Sequence, residues 1–393
     1  MRILHTADWH LGKTLEGRSR LEEQAQFMDE LVEIVEREQV DVVLMAGDVF
    51  DTVNPPALAE QLFYEGISRL SNNGKRSISI IAGNHDSPDR LLAAAPLAKK
   101  QGISIVGFPT VQVQSIYVPT TDETLKLAAL PYPSESRLSE VLSEINDELA
   151  LRNKYDERIQ RMFQFMSEQF SPQTVNVAMS HLYVQGGSSS DSERPIEVGG
   201  AYTVAGTSLP KQAQYVALGH LHRPQMIKRA ETIARYSGSP LAYSFSEAGY
   251  TKSVSIIDVV PGGEAQVTEI YLSSGKPLVR WKATEGVSQV HQWLDSKKDQ
   301  QAWIDLEIHV TNTLSIEEIQ RIRKSHAGII HIRPVFEAEI EQQELAAASN
   351  LPVDELFKRF YERQTGGAKL EPELLNVFLE LLNEEKSTVG EED

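Results

Sequence analysis

Five runs of apolar residues along the chain each end abruptly in a cluster of polar side chains. The runs are near-continuous in Val, Ile, Leu, Met and Ala, as in "DVVLMA" and "YVAL", without the alternation of half-exposed strands. This pattern is typical of β-strands that are buried on both faces of a sheet. The polar residues that follow the five predicted strands are Asp8 and His10, Asp48, Asn84 and His85, His181, and His220 and His222.

The segments between the first three predicted strands have the spacing of helices. One helix face comprises Leu21, Met28, Leu31 and Val35, and a looser one comprises Leu58, Leu62 and Leu70. Strand–helix–strand order with short connections predicts an α/β fold with parallel strands and right-handed crossovers. Because parallel strands have their carboxyl ends at one edge of a sheet, we expect the five polar endings to converge there.

Composition adds three constraints to this picture. The chain of 393 residues contains no cysteine, which excludes disulfides, thiolate zinc sites and cysteine nucleophiles and suits a reducing cytosol. No apolar run is long enough to span a bilayer, so we expect a cytoplasmic protein without a membrane contact. The formal net charge of −18 argues against a broadly basic nucleic-acid-binding surface. Metal ions bound by the polar strand ends would offset this charge locally, because two divalent ions add about four positive charges.

The polar endings supply oxygen and nitrogen donors without sulfur, a set that suits Mn, Fe or Zn. Seven donors, namely Asp8, His10, Asp48, Asn84, His181, His220 and His222, are too many for one tetrahedral ion. They suit two ions about 3.5–4 Å apart that share a bridging carboxylate, the arrangement used for displacement at phosphorus. Singly, each motif has a simpler explanation: Asp8-x-His10 occurs by chance, Asp48 could cap a helix, and His181 could be a core histidine. The five motifs together favour a metal site.

In chain order the motifs read D-x-H, G-D-x-x-D, G-N-H-D, H and G-H-x-H. This order resembles the calcineurin-like metallophosphoesterases. Flanking stretches such as "HTADWHLGK", "GNHDSPDRL" and "YVALGHLHRPQ" resemble the bacterial DNA-nuclease subunits of that family. The resemblance implies a β-sandwich flanked by helices, a small α/β capping domain and a helical C-terminal tail. It also implies DNA, an SMC-like ATPase subunit and a second copy of the chain as partners.

The resemblance assigns most of these residues to two metal ions, expected to be Mn²⁺. It implies that one ion is held by Asp8, His10, Asp48 and His222, and the other by Asp48, Asn84, His181 and His220, with Asp48 bridging. His85 would instead contact the scissile phosphate or protonate the leaving oxygen, and Asp51 is the candidate that orients its imidazole. Archaeal and eukaryotic nucleases of the family tend to carry histidine where this chain has Asp51, which leaves the orientation of His85 open.

The implied activity is ATP-dependent 3′-to-5′ exonuclease action on double-stranded DNA and endonuclease action on single strands. Such an enzyme would serve DNA end processing, hairpin cleavage, repair and recombination. Two alternatives stay open: a phosphatase or small-molecule phosphodiesterase of the same family, and a non-catalytic scaffold. The complete set of ligands argues against the scaffold.

We expect a metallophosphoesterase nuclease domain over 1–272 and a capping domain that binds DNA over 276–340, built as strand–helix–strand–helix–strand. A helical tail that docks on the ATPase would follow over 345–385, and an acidic disordered end over 386–393. The Gly- and Ser-rich stretch "VQGGSSSDSERP" is predicted as a loop at the site. Basic residues that could contact phosphates, or be ordinary surface charges, are Lys13, Arg18, Arg20, Arg90, Arg194 and Arg223 near the motifs, and Arg280, Lys282, Lys297, Lys298, Arg321, Arg323, Lys324 and Arg333 in the capping domain.

Overall fold

The computed structural model describes residues 1–134, 137–138, 154–194 and 202–336, together with nine residues between 354 and 378. It divides into two compact units. The first contains Met1–Arg280 and Gln301–Ile304; the second contains Trp281–Gln300 and the described residues from Asp305 onward. No helix in these described ranges is long and apolar enough to cross a membrane.

The part of the chain before residue 272 contains strands and helices in mixed order. The strands are β1 (Arg2–Thr6), β2 (Thr14–Leu15), β3 (Arg18–Ser19), β4 (Val42–Ala46), β5 (Ser77–Ile81), β6 (Ile103–Val106), β7 (Gln114–Val118), β8 (Glu123–Leu130), β9 (Val175–His181), β10 (Tyr215–Gly219), β11 (Gln225–Met226), β12 (Ala234–Tyr236), β13 (Ser253–Asp258) and β14 (Gln266–Tyr271). The α-helices are α1 (Leu21–Arg37), α2 (Ala57–Ser71), α3 (Pro88–Leu92), α4 (Ala95–Ala98) and α5 (Tyr155–Ser167). Short 3₁₀ helices lie at Lys99–Gln101, Gly206–Ser208 and Phe245–Glu247.

Two six-stranded sheets form the body of the first unit. The first has the order β14-β13-β1-β4-β5-β6; β1, β4 and β5 are parallel, as predicted, and β6 continues the parallel series. The second has the order β11-β12-β10-β9-β8-β7, in which β8, β9, β10 and β12 are parallel. The sequence over 228–272 predicts short antiparallel strands, and β12 agrees with this only in part, because it is antiparallel to β11 but parallel to β10. The pair β13–β14 is antiparallel, as predicted.

The two sheets pack face to face with helices outside them. Because side chains alternate along a strand, Ile3 of β1 enters the core between the sheets with Tyr215 of β10. Its neighbour Leu4 points the other way, into the core beneath α1 and α2. Val216 of β10 lies in a third core, beneath α5. The predicted β-sandwich flanked by helices is therefore confirmed.

The helix faces agree with the sequence for α1 and disagree in part for α2. Leu58 was predicted to share the buried face of α2 but is 64% exposed. The buried face instead passes through Ala59, Phe63 and Ile67, which recur every four residues. Leu58 lies one position before that series and consequently points to solvent.

The chain after residue 277 has the predicted order of a small α/β domain. Its elements are β15 (Leu278–Ala283), α6 (Val287–Asp295), β16 (Trp303–Val310), α7 (Ile316–Ser325) and β17 (Ile329–Phe336), with the sheet order β15-β16-β17. Some of its basic residues are paired: Arg333 lies 2.6 Å from Asp305, and Lys298 Nζ lies 4.1 Å from the centre of the Trp293 ring. Most of the predicted docking tail, and all of the acidic end, lies outside the described residues.

Arg20, one of the basic residues near the motifs, is not a surface charge and is not available to contact phosphate. Arg20 is buried and donates to both carboxylate oxygens of Glu23, at 2.6 and 2.8 Å. Its third contact is the Ala242 carbonyl at 2.8 Å, while Glu23 also accepts from the Lys276 amide at 2.6 Å. This buried ion pair ties the start of α1 to two distant segments of the first unit.

Replacing Glu23 with alanine is expected to destabilise the protein by about 3–5 kcal/mol, because the Arg20 charge would stay buried without its partner. Chemical denaturation followed by circular dichroism measures the change. Glu22→Ala, at an exposed glutamate of the same helical turn, is the matched control and should change stability by less than about 0.5 kcal/mol. A loss of less than about 1 kcal/mol in Glu23→Ala would contradict the structural role of the pair.

Candidate metal centre

Four polar residues at the strand ends have a backbone conformation that side chains rarely adopt. The φ angles of Asp8, His10, Asp48 and His220 are 55°, 44°, 53° and 107°. Such left-handed residues are uncommon outside glycine, and they concentrate at functional sites. Main-chain hydrogen bonds fix two of them, since the Asp8 amide donates to Gly47 at 3.0 Å and the His10 amide to Asp48 at 3.0 Å. The loops after β1 and β4 are therefore held side by side.

Two glycines allow the strand ends to approach each other closely. A Cβ atom on Gly83 would lie 2.1 Å from Asp48 Oδ1. A Cβ atom on Gly219 would lie 1.8 Å from the carbonyl oxygen of Ala46, in the other sheet. The five strand ends therefore converge from two sheets, whereas the sequence analysis expected a single sheet edge.

The first group of donors contains Asp8, His10 and His222, each with one donor atom within 4.8 Å of the others. All three are buried. The Nε2 atoms of His10 and His222 are 3.0 Å apart and point at each other. Asp8 is held by the His220 amide, which donates to its Oδ1 at 2.9 Å.

The second group of donors surrounds His181. Its Nδ1 lies 2.9 Å from the carbonyl oxygen of Ala46, which can only accept, so Nδ1 carries the hydrogen. The free Nε2 then faces two oxygens, Asn84 Oδ1 at 2.9 Å and Asp48 Oδ2 at 3.4 Å. Three acceptor atoms that face each other in a buried site repel unless a proton or a metal cation lies among them. The donor set therefore fits a metal ion, and the His220 ring lies beside it, 5.5 Å from the His181 ring.

Asp48 lies between the two groups. Its Oδ2 is 3.4 Å from His181 Nε2 and 3.6 Å from His10 Nε2, so one carboxylate oxygen faces both groups. Its Oδ1 accepts a hydrogen bond from the His85 amide at 2.9 Å. From this position one carboxylate could serve donors of both groups.

Without metal ions, the buried carboxylates and imidazoles of the cluster have strongly shifted pKa values. Burial raises the pKa of Asp8 to about 7 and lowers the pKa of His10 to about 3. Burial also opposes the charged form of His181, but Asp48 and Asp8 outweigh it and raise the pKa of His181 to about 9. Divalent cations would remove this conflict, because they favour ionised carboxylates and neutral imidazoles as ligands.

His85 is oriented by a main-chain oxygen. Its Nδ1 lies 2.6 Å from the carbonyl oxygen of Asp51, whereas the Asp51 carboxylate is 3.8 Å away. That carboxylate instead lies 2.8 Å from Lys13 Nζ and 3.5 Å from His10 Nδ1. With Nδ1 hydrogen-bonded, Nε2 of His85 faces Asp48 Oδ2 at 3.9 Å. Burial lowers the pKa of His85.

Asp86, which follows His85, has a structural role. Its carboxylate accepts from the amides of Gly83 at 2.8 Å, Phe50 at 3.0 Å and Val49 at 3.1 Å. It therefore holds the loop after β4 against the loop after β5. Three of the basic residues near the motifs form ion pairs within the protein: Lys13 with Asp51, Arg20 with Glu23 and Arg90 with Glu60.

Sequence reasoning missed the residues that support His222. They are Ser192 and Glu193 in the Gly- and Ser-rich loop, and Glu247 and Lys252 further along the chain. One signal for Glu247 is present in "SFSE", which has the spacing of a capping box that starts at Ser244. That signal predicts a turn and says nothing about a histidine 25 residues earlier in the sequence.

Comparison with known proteins decides the family. A family model described as "Calcineurin-like phosphoesterase" matches residues 1–224, and one described as "Type 5 capsule protein repressor C-terminal domain" matches 274–365. The chain is 61% identical over 393 residues to the SbcD subunit of the SbcCD nuclease of Bacillus subtilis (strain 168), with 100% of each chain covered. The chain belongs to the SbcD family of calcineurin-like phosphoesterases. The family inferred from the motif order is confirmed.

Solved structures of low identity give weaker likenesses. A protein from Thermus thermophilus is 11% identical with a TM-score of 0.38, and a dimetal phosphatase from Danio rerio is 13% identical with a TM-score of 0.39. In both cases 68% of this chain and 98% of the other are covered. These TM-scores are too low to add to the family assignment.

Proposed function

We propose that this protein is a metal-dependent DNA nuclease that works as one subunit of a complex with an SbcC-like ATPase. The observation that carries the proposal is the clustering of Asp8, His10, Asp48, His181 and His222, with Asn84 and His220 beside His181, in a member of the SbcD family. The 61% identity over the full chain is to a nuclease subunit, and this favours a nuclease over a phosphatase or small-molecule phosphodiesterase.

The donors divide into two sites for divalent ions. Asp8, His10 and His222 would hold one ion, and Asn84, His181 and His220 the other, with Asp48 shared between them. The oxygen and nitrogen donors suit Mn²⁺. When bound, the two ions would neutralise the charge of a phosphodiester and lower the pKa of water. Support for the division comes from Asp48 Oδ2, which faces His10 at 3.6 Å and His181 at 3.4 Å.

His85 would supply the proton for the leaving sugar oxygen. The Asp51 carbonyl accepts from Nδ1 at 2.6 Å, so Nε2 is the ring atom that can serve the substrate. Burial lowers the pKa of His85, whereas an anionic phosphate beside it favours the protonated ring. The ring would therefore gain its proton in the complex with DNA. Asp51 would act through its carbonyl, with its carboxylate held by Lys13 at 2.8 Å.

The partner and domain assignments extend this proposal. The Bacillus subtilis relative is named as a subunit of SbcCD, which supports an SbcC-like ATPase as partner here. The α/β domain after residue 276 would bind DNA, the tail over 345–385 would dock on the ATPase, and the chain would form a homodimer. Light scattering on the purified chain tests the homodimer, since a monomer of 43.9 kDa would contradict it.

The activity is tested with end-labelled duplex DNA and Mn²⁺, with and without the co-expressed ATPase subunit, beside nitrophenyl phosphate. We expect Mn²⁺-dependent DNA cleavage that EDTA abolishes and that the ATPase with ATP increases on duplex ends. Hydrolysis of nitrophenyl phosphate without DNA cleavage under any of these conditions would favour the phosphatase alternative instead.

A further inference from the structure

His222 is held by side chains from two segments outside the metal motifs. Its Nδ1 lies 2.6 Å from Ser192 Oγ, and Ser192 Oγ lies 2.6 Å from Glu247 Oε1. On the other side of the ring, His222 Nε2 faces His10 Nε2 at 3.0 Å. Ser192 therefore connects a buried carboxylate to the ring of a candidate metal ligand.

The partners of Glu247 decide where the hydrogens of this chain lie. Lys252 Nζ donates to its Oε2, and the amides of Tyr243 and Ser244 donate to its Oε1 at 2.9 and 3.1 Å. A carboxylate surrounded by donors acts only as an acceptor. Ser192 Oγ also lies 2.8 Å from Ser190 Oγ, whose own hydrogen goes to Glu193 Oε2 at 2.6 Å. The carboxylate of Glu247 is the nearer and charged acceptor, at 2.6 Å, so the single hydroxyl hydrogen of Ser192 points at Glu247 and the Ser192 oxygen is left to accept.

The hydrogen between Ser192 and His222 must then belong to Nδ1. With Nδ1 protonated, a neutral imidazole keeps its lone pair on Nε2, the atom that faces the first group of donors. The main chain of His222 is fixed as well: its amide donates to Glu193 Oε1 at 2.8 Å, and its carbonyl accepts from Lys252 Nζ at 3.0 Å. The loop that carries Ser192 and Glu193 thus sets both the position and the tautomer of His222.

We propose that Ser192 is a positioning residue that links Glu247 to His222 and holds His222 Nε2 as a metal ligand. The inference rests on the metal centre of the proposed function and adds to it a control of one ion by the Gly- and Ser-rich loop. His181 contrasts with this arrangement, because a main-chain carbonyl, that of Ala46 at 2.9 Å, fixes its tautomer. Only the ion near His222 should therefore depend on a serine hydroxyl.

The test is Mn²⁺ binding by the full-length chain, measured by calorimetry and by electron paramagnetic resonance. Ser192→Ala is expected to weaken one Mn²⁺ site by about 10–100-fold and to leave the other unchanged. Ser192→Thr, which keeps the hydroxyl, should restore the wild-type affinity. Ser189→Ala, at an exposed serine of the same loop, is the matched control and should bind both ions normally. Thermal melting of each metal-free variant should stay within a few degrees of the wild type.

Three results with the variants would overturn the inference. Ser192→Ala could bind both ions with wild-type affinity, or Ser192→Thr could lose the ion to the same extent as Ser192→Ala. Alternatively, metal-free Ser192→Ala could melt far below the wild type and lose both ions, which would make Ser192 a residue of the fold. Wild-type protein that binds no Mn²⁺ at all would overturn the proposed function itself, and this inference with it.

Discussion

Replacing Asp48 with asparagine is expected to lower DNA cleavage by at least about 10³-fold, which corresponds to about 4 kcal/mol of lost transition-state stabilisation. The amide oxygen of asparagine can still accept from the His85 amide, as Asp48 Oδ1 does at 2.9 Å. The amide nitrogen would then replace Oδ2, which faces His181 and His10. Because an amide nitrogen carries hydrogens and no charge, it cannot bridge two cations.

Single-turnover cleavage and the number of Mn²⁺ ions bound per chain measure this effect together. We expect the variant to fold, since its shape is unchanged, and to bind fewer than two ions. Asp29→Asn is the matched control, because Asp29 is an exposed aspartate paired only at the surface with Arg69. A variant that keeps more than about a tenth of the activity and both ions would remove Asp48 from the bridging role.

The positions of the five buried strands and their polar endings could be predicted from the sequence. Strands covered on both faces have continuous apolar runs, and the change to polar residues marks their ends. The sequence gives no indication that β9 and β10 belong to a second sheet. The sheet to which a strand belongs depends on pairing between segments far apart in the chain. The hydrophobic pattern of one segment does not indicate which other segment it pairs with.

Contacts made by the main chain were also beyond the sequence analysis. Asp51 was expected to orient His85 through its carboxylate, but its carbonyl is closer, at 2.6 Å against 3.8 Å. Every residue has a main-chain carbonyl. The identity of a residue therefore does not indicate whether its carbonyl accepts a hydrogen bond from a histidine. The support of His222 by Ser192 and Glu247 was hidden for a related reason, since these residues are 30 and 25 positions away from it.

Burial of charged side chains is a third limit. Arg20 and Glu23 have the spacing of an ordinary surface pair on a helix, yet both are buried. An exposed pair and a buried pair on a helix have the same residue types and the same spacing. What distinguishes them is the Ala242 carbonyl and the Lys276 amide, which come from segments more than 200 residues away and replace water around the pair.

Replacing His85 with glutamine is expected to lower DNA cleavage by about 10²–10⁴-fold, the usual contribution of a general acid. Both Mn²⁺ ions should still bind, because His85 is not among the residues assigned to either ion: its Nδ1 is engaged by the Asp51 carbonyl and its Nε2 lies 3.9 Å from Asp48 Oδ2. A ring nitrogen of His85 does lie within 4.8 Å of donor atoms of His10 and Asp51, so the binding measurement is a real test of this assignment. The His85 amide that donates to Asp48 is retained in the variant. Calorimetry for Mn²⁺, fluorescence anisotropy for DNA and single-turnover cleavage separate the three properties.

A change of leaving group tests the role of the proton directly. A sulfur in place of the 3′-bridging oxygen leaves readily as a thiolate, so its departure needs no protonation. If His85 Nε2 donates the proton, the His85→Gln variant should cleave the sulfur-containing DNA at nearly the wild-type rate while it remains slow on ordinary DNA. Equal loss on both substrates would mean that His85 contacts the phosphate instead of the leaving oxygen. Loss of Mn²⁺ binding in the variant would show that His85 is a ligand, and the assignment of the proton to its Nε2 would then have to be abandoned.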